Sequence, residues 1–169
     1  MIKALRGAVD SPPGWLCVLL AEAGVALTIV PRLRWVDIYE DQAVVSGTAI
    51  QVAAGLVPYR DFDSSIAPGS LFLYAGFFKL VGGTVVHERL LTAAAMLIGV
   101  FFVWWIGNRL LSPWWAAGIA LMWGVWLPVF QEYSPYHFWS VAMLLAMAAA
   151  LLSARAARRP TVAFVIAGL

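Results

Sequence analysis

The chain has 169 residues, of which 63% are hydrophobic and 12% are charged, and its formal net charge is +2. A soluble domain is about half apolar and about a quarter charged, so this composition is typical of a membrane protein. The small net charge excludes the strongly basic surface that nucleic-acid binding requires, and we expect no nucleic-acid partner. A single cysteine, Cys17, excludes an internal disulfide.

Apolar stretches of spanning length recur along the chain. A hydrocarbon core about 30 Å thick requires about 20 apolar residues in a helix. Residues 15–30, 90–107, 113–130 and 138–154 approach that length, and a fifth stretch occupies residues 161–169. Because this last stretch would rise only about 13 Å, we expect it to continue in a longer protein. The sequence therefore predicts an all-α, polytopic transmembrane fold, with residues 1–169 forming the N-terminal part of one transmembrane domain.

Basic residues at the ends of these stretches indicate an orientation. They precede the first stretch, separate the second from the third and follow the fourth: Lys3, Arg6, Arg109, Arg155, Arg158 and Arg159. Short loops rich in Lys and Arg favour the cytoplasmic side. We therefore predict a multi-pass protein of the inner (plasma) membrane with a cytoplasmic N-terminus and a large extracytoplasmic loop at residues 31–89.

That loop contains two apolar segments that are too short to span. Residues 42–54 and 70–81 have helical character, and Pro58 and the Pro68-Gly69 pair predict turns between them. Helices of this length suit the membrane interface better than a crossing. Carboxylates gather here, and five of the nine in the chain lie within residues 37–63: Asp37, Glu40, Asp41, Asp61 and Asp63. The loop is predicted to hold two juxtamembrane helices joined by an acidic turn.

The order of these features resembles the N-terminal region of GT-C-fold glycosyltransferases. The residues that carry the resemblance are Glu40-Asp41-Gln42, then Gly55, then Pro58-Tyr59-Arg60-Asp61, and finally Pro68-Gly69 before a short apolar helix. The most similar branch is the family 39-like one, which includes protein O-mannosyltransferases and aminoarabinose transferases. The resemblance implies an inverting enzyme that takes a sugar from a polyprenyl-phosphate donor and transfers it to a lipid, glycan or protein acceptor on the extracytoplasmic side.

The resemblance also implies roles for individual residues. The family loop opens with Asp-Glu, so Asp41 matches the catalytic base, while Gln42 stands where Glu is usual and Ala67 stands where the family has Pro. Arg60 is then the nearest cation for the leaving phosphate, with Arg89 behind it. The other predicted substrate-binding residues are Glu40, Gln42, Tyr59, Asp61, Asp63 and Glu132, and membrane lipids are expected partners. No cofactor is assigned, although the carboxylates could hold Mg²⁺ or Mn²⁺.

Structural roles compete with these chemical ones. Asp41 could instead cap a helix, and Asp61 and Asp63 could simply form a turn. Arg60 could pair with either of those two carboxylates. The Glu88-Arg89 pair is expected to extend toward the membrane surface at the head of the second span rather than react.

Two other functions remain open for the whole chain. A transporter or channel component would place acidic side chains along a cation path, and Glu22, inside the first stretch, is a candidate for such a path. A non-catalytic membrane scaffold would leave the two short helices and the acidic turn without a chemical role.

Overall fold

The computed structural model describes residues 13–34, 40–130 and 135–156, with side chains at 13–33, 42–126 and 137–153. Within these ranges the chain forms helices joined by turns and contains no strand. The helices are α1 (Gly14–Ile29), α2 (Glu40–Ala53), α3 (Pro68–Val81), α4 (Val85–Leu110), α5 (Pro113–Phe130) and α6 (Pro135–Ala156), and a 3₁₀ turn at Val30–Arg34 extends α1. The predicted fifth stretch at residues 161–169 lies outside the described residues.

Two of these helices are long and apolar enough to cross a membrane. They are Gly14–Leu33, which joins α1 to most of its 3₁₀ extension, and Val85–Leu110, which is α4. Helix α3 and the His137–Ser153 part of α6 are apolar but shorter. Helix α4 begins before the predicted Leu90 because the Thr84 hydroxyl accepts a hydrogen bond from the backbone N–H of His87 at 3.2 Å and caps the helix. Helix α5 occupies the predicted residues.

The long helices pack around one hydrophobic cluster. Helix α4 lies against α5 and α6, and α1 lies against α5. Small residues allow the close approach: a Cβ added to Gly99 of α4 would lie 2.5 Å from the Trp123 ring of α5. We call this cluster the bundle core, and it includes Cys17, Val25, Ala95, Met96, Val100, Ala116 and Ala120.

A second hydrophobic cluster lies between α2 and α3, and we call it the helix-pair core. Residues Val45, Ala49 and Val52 of α2 fall on one face at helical spacing and contact α3. The opposing residues are Leu71, Tyr74, Ala75 and Phe78, and Ile66 from the preceding turn completes the cluster. Trp139 of α6 packs against both cores. The two short helices predicted for the loop are therefore present, and they pack against each other.

Candidate functional site

The predicted site residues fall at opposite ends of α2. Asp41 lies in the first turn of that helix, and Arg60, Asp61 and Asp63 follow its last residue, Ala53. A helix rises about 1.5 Å per residue, so α2 places about 18 Å between Asp41 and Ala53. The structure therefore divides the candidate site into two regions.

The first region is the acidic turn, which we define as Tyr59–Asp63. The Arg60 guanidinium binds the Asp61 carboxylate with two hydrogen bonds, Nε to Oδ1 at 2.9 Å and Nη2 to Oδ2 at 2.7 Å. The backbone N–H of Val57 also donates to Asp61 Oδ2 at 2.8 Å. These bonds hold the pKa of Asp61 down at about 2, and the same carboxylate raises the pKa of Arg60. Of the roles weighed for Arg60, pairing with Asp61 is the one observed.

Hydrogen bonds also hold the backbone of this turn. Tyr59 has a φ of 64°, a left-handed conformation that a non-glycine residue seldom adopts. Its N–H donates to the Phe62 carbonyl and its hydroxyl donates to the Ile66 carbonyl, each at 2.9 Å. Because Ile66 is buried in the helix-pair core, this second bond attaches the turn to that core. The result is a rigid surface feature beside an open depression of about 400 Å³.

The acidic turn offers little to a metal ion. Among the residues whose side chains are described, no group of three His, Cys, Asp or Glu side chains lies close enough to hold one. The Asp61 oxygens already accept three hydrogen bonds, and Asp63 Oδ1 accepts one from Ser64 N at 3.0 Å. The predicted Mg²⁺ or Mn²⁺ site therefore has no support from this part of the molecule.

The second region is the start of α2. The helix begins at Glu40, so Asp41 lies inside the first turn and not at the N-cap position. Carboxylates in a first helical turn are stabilised by the helix dipole. The side chains of Glu40 and Asp41, and the whole of Glu132, lie outside the described part of the structure.

Gln42, the next residue, is one of a set of buried polar side chains that we call the polar junction. Its members come from α2 and α4 and are buried in the described structure: Gln42, Ser46, Glu88, Arg89 and Thr92. Gln42 and Glu88 are each 0% exposed, and Arg89 is 4% exposed. Buried charges are costly unless neighbouring groups compensate them, so the hydrogen bonds of this set determine how it is held together.

Arg89 connects three elements at the polar junction. Its Nη2 donates to Gln42 Oε1 at 3.0 Å, and its Nη1 lies 3.3 Å from the Arg32 carbonyl and 3.4 Å from the Leu33 carbonyl. Those two carbonyls belong to the 3₁₀ turn that ends the first long helix. Arg89 thereby ties the end of α1 and the start of α2 to the head of α4.

A chain of hydroxyl groups extends the polar junction toward α3. The Tyr74 hydroxyl and Thr92 Oγ1 lie 2.9 Å apart, and Thr92 Oγ1 donates to the Glu88 carbonyl at 3.0 Å. Burial raises the pKa of Tyr74 well above its usual range, so this phenol stays neutral. The Trp139 indole lies near the Tyr74 hydroxyl, but its N–H makes no hydrogen bond of good geometry with a described residue.

Burial of Glu88 and Arg89 contradicts the expectation that this pair extends toward the membrane surface. The first turn of α4 lies beneath α2, and both side chains point into the contact between the helices. Arg60, which was expected to be the nearest cation for the leaving phosphate, lies beyond the opposite end of α2 from Asp41. Arg89 binds the residue next to Asp41, whereas Arg60 belongs to the turn beyond the far end of α2.

Sequence reasoning assigned no role to Ser46, Thr92 or Tyr74. One signal could have identified the first two: Gln42 and Ser46 are four residues apart, as are Glu88 and Thr92, so each pair lies on one helix face. The Glu88 face continues through Met96 and Gly99 into the bundle core, and polar residues on such a face require partners.

The two regions have different chemical capacities. The acidic turn presents a neutralised ion pair at the surface, which can contact a polar group, and the lowered pKa of Asp61 makes its carboxylate a weak base. The start of α2 combines carboxylates in a first helical turn with a buried guanidinium, an arrangement that can orient a base and an anion. No protein-family profile, curated protein or solved structure matches this chain.

Proposed function

We propose that this chain belongs to a membrane glycosyltransferase that uses a polyprenyl-phosphate sugar donor, with Asp41 as its base. The observation that carries the proposal is the placement of α2: a short helix between two helices of spanning length, whose acidic first turn lies beside the Arg89 anchor. In this proposal α5 and α6 also cross the inner membrane, the N-terminus is cytoplasmic, and the α2–α3 pair lies on the extracytoplasmic surface.

The outer face of the helix pair supports a location at a lipid surface. Large apolar side chains on α3 remain exposed although the opposite face of the helix is buried, and Leu80 is 84% exposed. Others on α2, α3 and the connecting turn share this exposure: Val44, Ile50, Leu56, Val57, Phe72 and Leu73. A helix that carries Lys79 beside such residues suits the boundary between headgroups and acyl chains.

The reaction requires one proton transfer and one displacement. Asp41 would take the proton from the acceptor hydroxyl or amine while that oxygen or nitrogen attacks the anomeric carbon. The bond from that carbon to the phosphate oxygen breaks with inversion, and polyprenyl phosphate leaves with the electron pair of the broken bond. The developing negative charge on the phosphate must then be stabilised by a nearby cation.

We assign the leaving phosphate to the start of α2 rather than to the acidic turn. Arg60 donates from two of its nitrogens to Asp61 and belongs to the far end of the helix. Arg32 lies in the 3₁₀ turn whose carbonyls contact Arg89, and its Nη1 has no hydrogen-bond partner in the described structure. Arg32→Gln should therefore reduce sugar transfer more than Arg60→Gln, and equal losses would contradict this assignment.

Asp41→Asn in the full-length protein tests the proposal as a whole. The purified variant and wild type would be compared for transfer of a radiolabelled sugar from a polyprenyl-phosphate donor. Loss of a general base typically lowers the rate by about a hundredfold to ten-thousandfold, and we expect a loss in that range.

Lys79→Gln is the control because it removes one charge from an exposed residue of α3 that has no role in the proposed site. It should retain most of the transfer rate. If Asp41→Asn keeps wild-type activity at normal expression, Asp41 is not the base. If wild-type protein transfers no sugar from any polyprenyl-phosphate donor tried, the glycosyltransferase assignment is wrong.

A further inference from the structure

The hydrogen bonds of Gln42 leave one half of its amide unused. Its Oε1 accepts from Arg89 at 3.0 Å, while its Nε2 is buried and has no hydrogen-bond partner of good geometry in the described structure. An amide that orients its oxygen toward a guanidinium presents its NH₂ group on the other side. The group that Nε2 faces therefore determines how firmly this orientation is held.

Glu88 is that group. Its side chain is 0% exposed, and neither carboxylate oxygen has a hydrogen-bond partner of good geometry among the described residues. The side chains of Gln42, Ser46 and Thr92 lie close to its carboxyl group. An unpartnered donor on α2 and two unpartnered acceptors on α4 thus face each other within one buried volume.

Positions 42 and 88 carry complementary side chains. One carboxylate, Glu88, and one guanidinium, Arg89, lie on either side of a neutral amide, Gln42. A carboxylate at position 42 would place two buried anions beside one cation, and an amide at position 88 would remove the only carboxylate among its members. The first change sets two buried carboxyl groups against each other, and the second leaves the Gln42 NH₂ group facing another amide instead of a carboxylate.

We propose that Glu88 is a positioning residue that acts through Gln42: its carboxylate fixes the amide, and the amide holds Arg89 and the first turn of α2 in place. Positions 42 and 88 are then coupled, and a carboxylate is required at one of them but not at both. The coupling itself follows from the contacts of the polar junction alone. Its effect on catalysis rests on the proposed function, because Asp41 is the residue that the first turn of α2 carries.

The test is an exchange of the two side chains in the full-length protein. Gln42→Glu and Glu88→Gln are made singly and together, with Lys79→Gln as a control for removal of an exposed charge. Each protein is purified in detergent, and its Tm, kcat and KM for the sugar donor are measured. Each single change should lower Tm by about 5 °C or more. The double change should return Tm to within about 2 °C of wild type, because contacting residues are strongly non-additive.

The rates distinguish positioning from a purely structural role. We expect each single variant that folds to lose about tenfold or more in kcat, with a smaller change in KM, and the double variant to recover most of that loss. A double variant whose Tm is no higher than that of the worse single variant overturns the coupling. Recovery of Tm without recovery of kcat, in a protein whose wild type is active, overturns the positioning role.

Two further outcomes are also decisive. If neither single variant yields folded protein, the folded yield of the double variant replaces Tm, and a double variant that fails while Lys79→Gln folds overturns the proposal. If wild type transfers no sugar, the proposed function and the effect on catalysis fail, but the Tm values still support or overturn the coupling of positions 42 and 88.

Discussion

The acidic turn and the polar junction contain the same kinds of groups in opposite environments. Each has an arginine and a carboxylate at adjacent positions, Arg60 with Asp61 and Glu88 with Arg89. At the surface, where Arg60 is 69% exposed, the two partners bind each other directly with ideal bidentate geometry. In the interior, the carboxylate oxygens of Glu88 accept no bond from Arg89, and an amide from another helix lies beside both.

This difference shows that close charge pairing is a poor guide to importance. An exposed pair gains little because water already solvates both ions. A buried pair has lost that solvation, so removal of one member leaves the other without compensation. The polar junction should therefore dominate stability although its individual bonds are longer, and the following measurements test that ranking from the largest expected effect to the smallest.

Arg89→Met should be the most damaging of these changes, and Arg60→Met is its matched control. Removal of Arg89 leaves Glu88 without this neighbouring positive charge. Gln42 Oε1 and the Arg32 and Leu33 carbonyls each lose a hydrogen-bond donor. Loss of one partner of a buried pair costs about 3–5 kcal/mol. Thermal or denaturant unfolding in detergent would measure this, and we expect no measurable change for Arg60→Met. Equal losses at the two sites would contradict the comparison.

Tyr74→Phe should have an intermediate effect, with Tyr59→Phe as its counterpart in the acidic turn. Both hydroxyls make hydrogen bonds of 2.9 Å, but the Tyr74 bond is buried. Loss of the Tyr74 hydroxyl leaves Thr92 without one of its partners and should cost about 1–2 kcal/mol. Tyr59→Phe should change the free energy of unfolding by about 0.5 kcal/mol or less, as most surface substitutions do. A larger effect at Tyr59 would show that the turn itself stabilises the helix-pair core.

Alkaline titration should separate Tyr74 from an ordinary tyrosine. Because burial raises the folded-state pKa of Tyr74, its contribution to stability is complete below the unfolded-state pKa of about 10. That contribution is lost as the pH rises above this value and toward the folded-state pKa. Tyrosinate absorbance of wild type and Tyr74→Phe would measure it: in folded protein we expect the two titrations to coincide up to the onset of alkaline unfolding.

Acid titration of the turn should give the smallest effect. The pKa of Asp61 is lowered to about 2 chiefly by its hydrogen bonds with Arg60. The contribution of this pair is therefore present above the ordinary aspartate pKa of about 4 and is lost as the pH falls through about 2. NMR titration of the Asp61 carboxyl in Arg60→Gln should show its pKa move up toward the ordinary value. An unchanged pKa would mean that Val57 N–H alone holds the carboxylate.

Much of the fold was predictable because local rules suffice for it. Helix α5 occupies the predicted residues 113–130, since it starts at a proline and contains no charge. Helix α3 begins at Pro68 and ends at Val81, and the next residue, Gly82, has a φ of 93° that suits a helix terminus. The two short helices of the loop and the Arg60 pairing also follow from neighbouring residues alone.

The arrangement of the candidate site was not predictable in the same way. Asp41 and Arg60 are close in sequence, which suggested that they are close in space, but the length of α2 separates them. Burial of Glu88 depends on how α2 packs against α4. This is a tertiary contact, since Gln42 and Glu88 are 46 positions apart in the sequence. The residue types near a helix end did not reveal whether that end faces lipid, water or another helix.

Trp139 has a consequence for the cooperativity of unfolding. Its ring packs against the bundle core and the helix-pair core, so one side chain contributes to both. Separation of the helix pair from the bundle would expose more of this ring as well as the polar junction. The two short helices should therefore unfold together with the long ones in a single transition, and amide hydrogens in α2 and α4 should exchange at similar rates.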